Sequence, residues 1–215
     1  MKTPGLNLFK GQSGRRALAT ALSALAGLMI LGAGWLGAYP LYTNLRAGQQ
    51  QEQLFAAFAT PRIQEAYRAG NIRDAEPLTR IVIPKLKLNM MVVEGISLKA
   101  LNTGAGHYPM TPLPGEKGNV GIAGHRTMYG KPFHDLDILK AGDKIMLITP
   151  LATHTYEVGP AFGGHSNPWV VQNNDWSPVA QSDEHLLTLT TCHPKGSSKQ
   201  RLVVRAKLLS SEPRA

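Results

Sequence analysis

The order of apolar and polar positions divides the chain into three textures. Residues 17–45 carry no charge, and 17–38 are almost entirely Ala, Leu, Gly, Met and Ile with no polar face. About 20 such residues span a hydrocarbon core of roughly 30 Å at 1.5 Å per residue. The run therefore predicts a membrane-spanning helix over 17–42. Trp35, Tyr39 and Tyr42 lie towards its far end, where aromatic rings favour the interface. Lys2, Lys10, Arg15 and Arg16 precede it with no acid among them. Basic flanks stay inside, so residues 1–16 read as a cytoplasmic tail and everything after the helix as external. A cleaved signal peptide is the rival reading, with Gly37 and Ala38 as small residues for a cleavage site. The apolar run is longer than a signal core of roughly 7–15 residues, which favours an uncleaved anchor.

The second texture is polar, with Gln49, Gln50, Gln51, Glu52 and Gln53 in succession. It reads as a juxtamembrane helix and linker over 43–78 with no chemistry of its own. The third begins near Arg80. Short β-type runs alternate there with Gly, Pro, Asn and Asp turns. The runs predict strands at 80–83, 86–93, 119–124, 144–149, 154–160, 169–172, 186–192 and 201–208. Only 98–101 and 133–139 look helical. Many short strands with little helix predict a sandwich or a barrel over 79–210, followed by a short tail, 211–215.

Composition adds less. Charged residues are 17% of the chain, below the soluble average of roughly 25%, as expected where part of a chain sits in lipid. The net charge is +9, and a mildly basic domain attracts anionic polymers. No basic stripe is interleaved with aromatics, so nucleic acid is not an expected partner. The single cysteine, Cys192, has no internal disulfide partner. It is either an inert buried thiol or a reactive one.

The hairpin around Cys192 decides between them. If strands 186–192 and 201–208 pair antiparallel with Cys192 opposite Arg201, Leu187 meets Ala206 and Leu189 meets Val204 on one apolar face. Thr190 then meets Val203, and Thr188 meets Arg205, on a mixed face suited to exposure. A slip of one residue reverses the faces. The pattern therefore places Cys192 and Arg201 side by side on the outside, with Cβ atoms about 4.5–5.5 Å apart. In 119–124, Val120 and Ile122 point one way while Gly121, Ala123 and His125 point the other. Small residues beside a histidine make a floor that a peptide can approach closely. A thiolate attacks a carbonyl, an imidazole moves protons, and a guanidinium donates to a developing oxyanion.

These residues resemble a known family. LTLTTCHP, followed by Arg201, is similar to the sortase signature in which Thr-Leu-x-Thr-Cys ends one strand and Arg begins the next. Gly118-Asn119 leading to Ala123-Gly124-His125-Arg126 resembles the family's catalytic-histidine segment. The resemblance runs from about Arg80 to Leu208. It implies a mainly β fold, a closed eight-stranded barrel with short helices, here preceded by the N-terminal transmembrane helix. It implies a cysteine transpeptidase with His125, Cys192 and Arg201 as catalytic residues. The stretch GHRTMYGKPFHDLDILKAGDKI looks most like class E, with class D second. Class E implies a Leu-Ala-x-Thr-Gly-like sorting signal, cut between Thr and Gly, and transfer to an amine. The partners implied are secreted proteins bearing sorting signals and an amine acceptor, a cell-wall precursor or a pilin lysine. The acidic calcium-binding clusters of some class A members are not evident, so neither metal nor cofactor is expected. A peptidoglycan crosslinker of the L,D-transpeptidase type is a rival enzyme, but its Ser/Thr-His-Gly motif is missing before Cys192. A non-catalytic membrane-tethered binding module is the other rival.

Around this core, Thr190 faces the groove by alternation and reads as a substrate contact. Thr191 points inward and reads as positioning the oxyanion site through its backbone. Tyr129, in the loop after His125, and Trp169, in the connection before the cysteine strand, read as shaping the substrate pocket. Arg126 reads as a surface charge, with a groove residue as the alternative. His193 points away from Cys192. His107, His134, His154, His165 and His185 read as turn or surface histidines.

Overall fold

The computed structural model describes residues 10–214, with side chains from residue 14; most of the predicted basic tail lies outside these residues. Helix α1 (Lys10–Phe58) carries the whole apolar run and Pro40 within it. An 18-residue window of this helix has a mean hydropathy of 1.9 and none of it is buried. Among the described residues this is the one helix long and apolar enough to cross a membrane. The described residues divide into two compact units, with the boundary between Leu41 and Tyr42.

The second unit begins with the polar end of α1. A short helix, α2 (Pro61–Arg68), buries Ile63 and Tyr67. Proline at its first position suits a turn whose N–H groups have no helical partner. The strands follow: β1 (Pro77–Ile83), β2 (Leu88–Glu94), β3 (Ala105–His107), β4 (Gly118–Gly124), β5 (Lys144–Ile148) and β6 (Ala152–Val158), then β7 (Ala161–Phe162) and β8 (His165–Ser166), β9 (Trp169–Gln172), β10 (His185–His193) and β11 (Gln200–Pro213). Helix α3 (Leu98–Leu101) lies between β2 and β3.

Eight of these strands close a barrel in the order β10-β4-β3-β2-β1-β5-β6-β11, the β10–β11 pairing completing the ring. Closure leaves the ring no free edge. The eighth place goes to β3, a three-residue strand, rather than to the expected strand at 169–172. That strand, β9, pairs with β11 outside the ring, setting Val171 opposite Arg201. Inside, Ile81, Val92, Val120, Ile122, Ile145, Leu147, Leu187, Leu189 and Val204 are fully buried with Phe133 and Tyr156. Each such aliphatic side chain contributes about 1.5–3 kcal/mol by leaving water.

Two pairings position the chemistry. β10 and β11 pair with Leu187↔Ala206, Leu189↔Val204, Thr190↔Val203 and Cys192↔Arg201, the register that the alternation of faces demands. β10 and β4 run parallel with Thr190↔Ala123. Two residues further along each strand lie Cys192 and His125. Neighbouring strands are about 4.8 Å apart. The sheet thus sets Cys192 between His125 on one side and Arg201 on the other, all three on the outer face.

Candidate active site

Cys192 is half-buried at the end of β10. The Arg201 Nη1 lies 3.7 Å from its Sγ. The same nitrogen donates to the carbonyls of Ser198 (3.0 Å) and Gln200 (3.1 Å), so the hairpin loop aims the guanidinium at the thiol. His125 leaves the end of β4 half-buried. Its Nε2 is buried and makes no hydrogen bond in the structure. A buried polar atom without a partner is costly, and here it is an atom to which a bound substrate can offer one. Burial also pushes the His125 pKa below its ordinary value near 6.5, because a low-dielectric site disfavours imidazolium. Burial thus favours the neutral ring, the form that can accept a proton.

His125, Cys192 and Arg201 line one cavity of about 260 Å³, together with Tyr108, Thr190 and Trp176. Its walls come from outside the barrel. The mixed face of the hairpin is not exposed as expected: Thr188 and Val203 are fully buried and Thr190 is nearly so. Tyr108 accounts for part of this. Its hydroxyl is 2.9 Å from the Thr190 Oγ1, and Trp176 meets its ring edge-on at 6.1 Å. Gly121 lets it approach, since a Cβ there would sit 2.7 Å from the Tyr108 ring. The bare floor read from Gly121 is thus occupied by the protein's own tyrosine, and the open part of the trough begins at Ala123.

The deciding comparison is with family models: the Sortase domain matches residues 81–209. The chain belongs to the sortase family. Sortases are cysteine transpeptidases that act on proteins bearing sorting signals. This sortase is 31% identical over 183 residues to sortase SrtE1 of Streptomyces coelicolor, covering 81% of this chain and 52% of that protein. It therefore spans about half the length of that relative. It is 30% identical to sortase SrtE2 of the same organism over 217 residues, covering 92% of this chain and 85% of that protein. Among solved structures, the sortase D5 transpeptidase of Clostridium perfringens superposes with a TM-score of 0.63 at 28% identity, covering 76% of this chain and 98% of that one. Similarity to both class E and class D sortases agrees with the stretch that begins at Gly124.

The sortase trough gathers some of the expected substrate contacts and not others. Thr190 lines it. Thr191 is buried and donates to the Gly124 carbonyl at 2.8 Å, tying the residue before Cys192 to the residue before His125. Tyr129 is not among the lining residues; its ring lies 4.9 Å from that of His125. Trp169 stacks on His165 at 5.8 Å and takes the Arg205 guanidinium over its face at 5.3 Å. It braces β9 and the connection behind the trough.

Arg126 is not a surface charge. It is 3% exposed and pairs with Asp137 at 3.0 Å. Its Nη1 donates to His193 Nδ1 (2.9 Å) and to the Cys192 carbonyl (3.3 Å). A guanidinium leaves solvent here because four groups receive its hydrogens, the His134 carbonyl being the fourth. His193 is thereby turned to the far side of the strand from the thiol. Two other histidines also depart from the sequence reading. His107 is 2% exposed in β3 and pairs with Glu94 at 2.8 Å. His154 is 8% exposed in β6 and bonds Ser211 at 2.9 Å.

Sequence reasoning missed Tyr108, Trp176 and a buried relay behind the trough. In that relay Thr188 donates to Asn119 at 2.7 Å and accepts from Arg205 at 3.0 Å. The Asn119 amide then holds the carbonyls of Pro178 and Ala180, fixing the short turn (Ser177–Val179) that walls the cavity. The one sequence signal for it was Thr188 facing Arg205. Among the described residues no three His, Cys, Asp or Glu side chains converge as metal ligands.

Proposed function

We propose that this chain is a membrane-anchored sortase that cuts a C-terminal Leu-Ala-x-Thr-Gly-like or Leu-Pro-x-Thr-Gly-like motif between Thr and Gly and joins the protein to an amine. The amine belongs to a cell-wall precursor or to a pilin lysine. Cys192 is the nucleophile, His125 the proton carrier and Arg201 the oxyanion donor. The observation that carries this reading is the pairing of β10 with β4 and β11, which flanks one thiol with an imidazole and a guanidinium over a single trough.

In the proposed cycle, neutral His125 takes the thiol proton as Sγ attacks the threonine carbonyl carbon. The C=O becomes an oxyanion to which Arg201 donates. Collapse breaks the C–N bond, and His125 hands its proton to the glycine nitrogen. The remaining thioester is attacked by the acceptor amine, whose proton passes through His125 back to the departing sulfur. Thr190 and the Tyr108 and Trp176 rings contact the motif. Thr191 acts from behind by fixing the strand end, while Tyr129 and Trp169 shape the pocket indirectly, Tyr129 by packing on the His125 ring and Trp169 by bracing β9. Residues 1–16 lie in the cytoplasm and 17–42 cross the membrane. Residues 43–78 join the anchor to the external catalytic barrel of 79–210. The uncharged run 17–45 of the helix and the basic residues that precede it support this topology.

The test uses the full chain in detergent or nanodiscs with quenched fluorogenic peptides bearing these motifs and an amine acceptor. Cleavage and a ligated product that require Cys192 are expected. Cleavage of muropeptides with no turnover of any sorting peptide would reverse the assignment.

A further inference from the structure

Helix α1 does not stop where its apolar run stops. Its last turns belong to the barrel unit, where Thr43 is 3% and Ala47 2% exposed. Gln51 acts there as a piece of β-strand. Its Oε1 accepts from the Met91 N–H at 2.7 Å, and its Nε2 donates to the carbonyls of Met91 (3.1 Å) and Thr103 (2.9 Å). This side chain completes the backbone hydrogen bonding of β2 just before β3 begins.

Two turns earlier on the same helix, the Asn44 Oδ1 accepts from the Gly130 N–H at 2.9 Å. Gly130 sits in the loop that leaves His125 and closes on it again, Phe133 N–H donating to the His125 carbonyl at 3.2 Å. Three successive residues at the loop's tip are left-handed: Tyr129 (φ 52), Gly130 (φ 78) and Lys131 (φ 41). Only glycine takes this conformation without strain, and such a run persists only where its surroundings over-determine it. The helix supplies that support. A Cβ on Gly130 would be in contact with Ala47 at 3.6 Å, so the loop backbone lies directly against α1. The left-handed Tyr129 in turn presents its ring to His125, centroids 4.9 Å apart.

We propose that Asn44 is a positioning residue for His125: the extension of the anchor helix holds the strained loop, and the loop holds the imidazole through Tyr129. The proposal rests on His125 being the proton carrier of the transpeptidation described above. It makes the polar end of α1 part of the catalytic apparatus rather than a spacer. No substrate contact is assigned to Asn44, so its loss acts on the rate of proton transfer and not on peptide binding.

The experiment compares Asn44→Ala and Asn44→Asp in the full chain, in one detergent or nanodisc preparation, with a sorting-motif peptide. Alanine removes the acceptor, while aspartate keeps one on the same stem. Losing one such hydrogen bond is expected to lower kcat roughly three- to tenfold. The peptide KM and the Tm should stay near wild type, and the acidic limb of the pH–rate profile should move towards the ordinary histidine range. Asn44→Asp should recover most of the loss. A wild-type kcat and pH limb in Asn44→Ala would overturn the proposal. So would equal losses in both variants accompanied by a lowered Tm, which would mark a purely structural contact. A His125→Ala variant run alongside separates the two readings. If it keeps turnover, the role of His125 itself fails. If it is inactive while Asn44→Ala behaves as wild type, only the present inference fails.

Discussion

Replacing Thr191 with valine removes one hydroxyl at nearly constant volume. Thr191 is 2% exposed and its hydroxyl donates to the Gly124 carbonyl at 2.8 Å. Valine fits the same space and leaves that carbonyl without this donor. A buried acceptor that loses its partner costs about 1–3 kcal/mol, and the second lone pair of a carbonyl keeps the value in the lower half, about 1–2 kcal/mol. For a unit of about 170 residues, each kcal/mol moves the Tm by roughly 2–4 °C, so a fall of about 2–8 °C is expected. The functional effect should be larger than the thermal one suggests, because the bond joins the residue before Cys192 to the residue before His125. A displacement of about 1 Å between reacting groups can lower a rate up to 10²-fold, and we expect kcat/KM to drop by about 10-fold. Thr191→Ser keeps the hydroxyl and should restore the rate while remaining slightly less stable through its lost methyl. Differential scanning fluorimetry and single-turnover acylation measure both effects. A valine variant with wild-type kcat/KM would refute the idea that this cross-tie aligns the thiol and the imidazole.

Three further outcomes follow from the geometry. Burial lowers the pKa of His125 and of His154, so between those values and 6.5 the unfolded chain binds more protons than the native one. Stability from their neutral burial is complete above about pH 6.5 and is lost as pH falls; the acidic limb of kcat/KM should likewise lie below 6.5, and a limb above it would contradict the burial argument. Arg201→Lys keeps the charge but not the planar guanidinium whose Nη1 reaches Cys192, Ser198 and Gln200; it should lower kcat by about 10²-fold, and near-normal turnover would reduce Arg201 to a diffuse charge. Thr188→Val breaks the relay between Arg205 and Asn119, so the peptide KM should rise severalfold with kcat little changed; an unchanged KM would detach the relay from the trough wall.

The parts legible in the sequence are those where one face of a strand is apolar and the other is not. Leu187, Leu189 and Val204 fix the hairpin register, and with it the opposition of Cys192 and Arg201. Val120 and Ile122 fix the face from which His125 emerges. β3 was not legible, because Ala105–His107 is too short for a period to show and is recognised only by its pairings with β2 and β4. The place of β9 outside the ring was hidden for a related reason: its own alternation does not say which neighbour it joins. The burial of Arg126 depends on His134, Asp137, Cys192 and His193 converging on it, and nothing local announces that convergence. Tyr108 and Trp176 reach the trough from loops, where side-chain direction has no period. The helix–loop contact between Asn44 and Gly130 spans most of a hundred residues of intervening chain and leaves no local trace.

In the proposed mechanism the thiol of Cys192 attacks a sorting-motif carbonyl between His125 and Arg201. The most direct measurement is the intact mass of the full chain quenched in acid seconds after mixing with a Leu-Ala-x-Thr-Gly peptide, followed by peptide mapping. The account predicts a mass increase equal to the peptide truncated after threonine less one water, as thioester formation requires, carried by Cys192, sensitive to hydroxylamine and lost in Cys192→Ala. An unmodified Cys192 in a preparation that is turning the peptide over would contradict it.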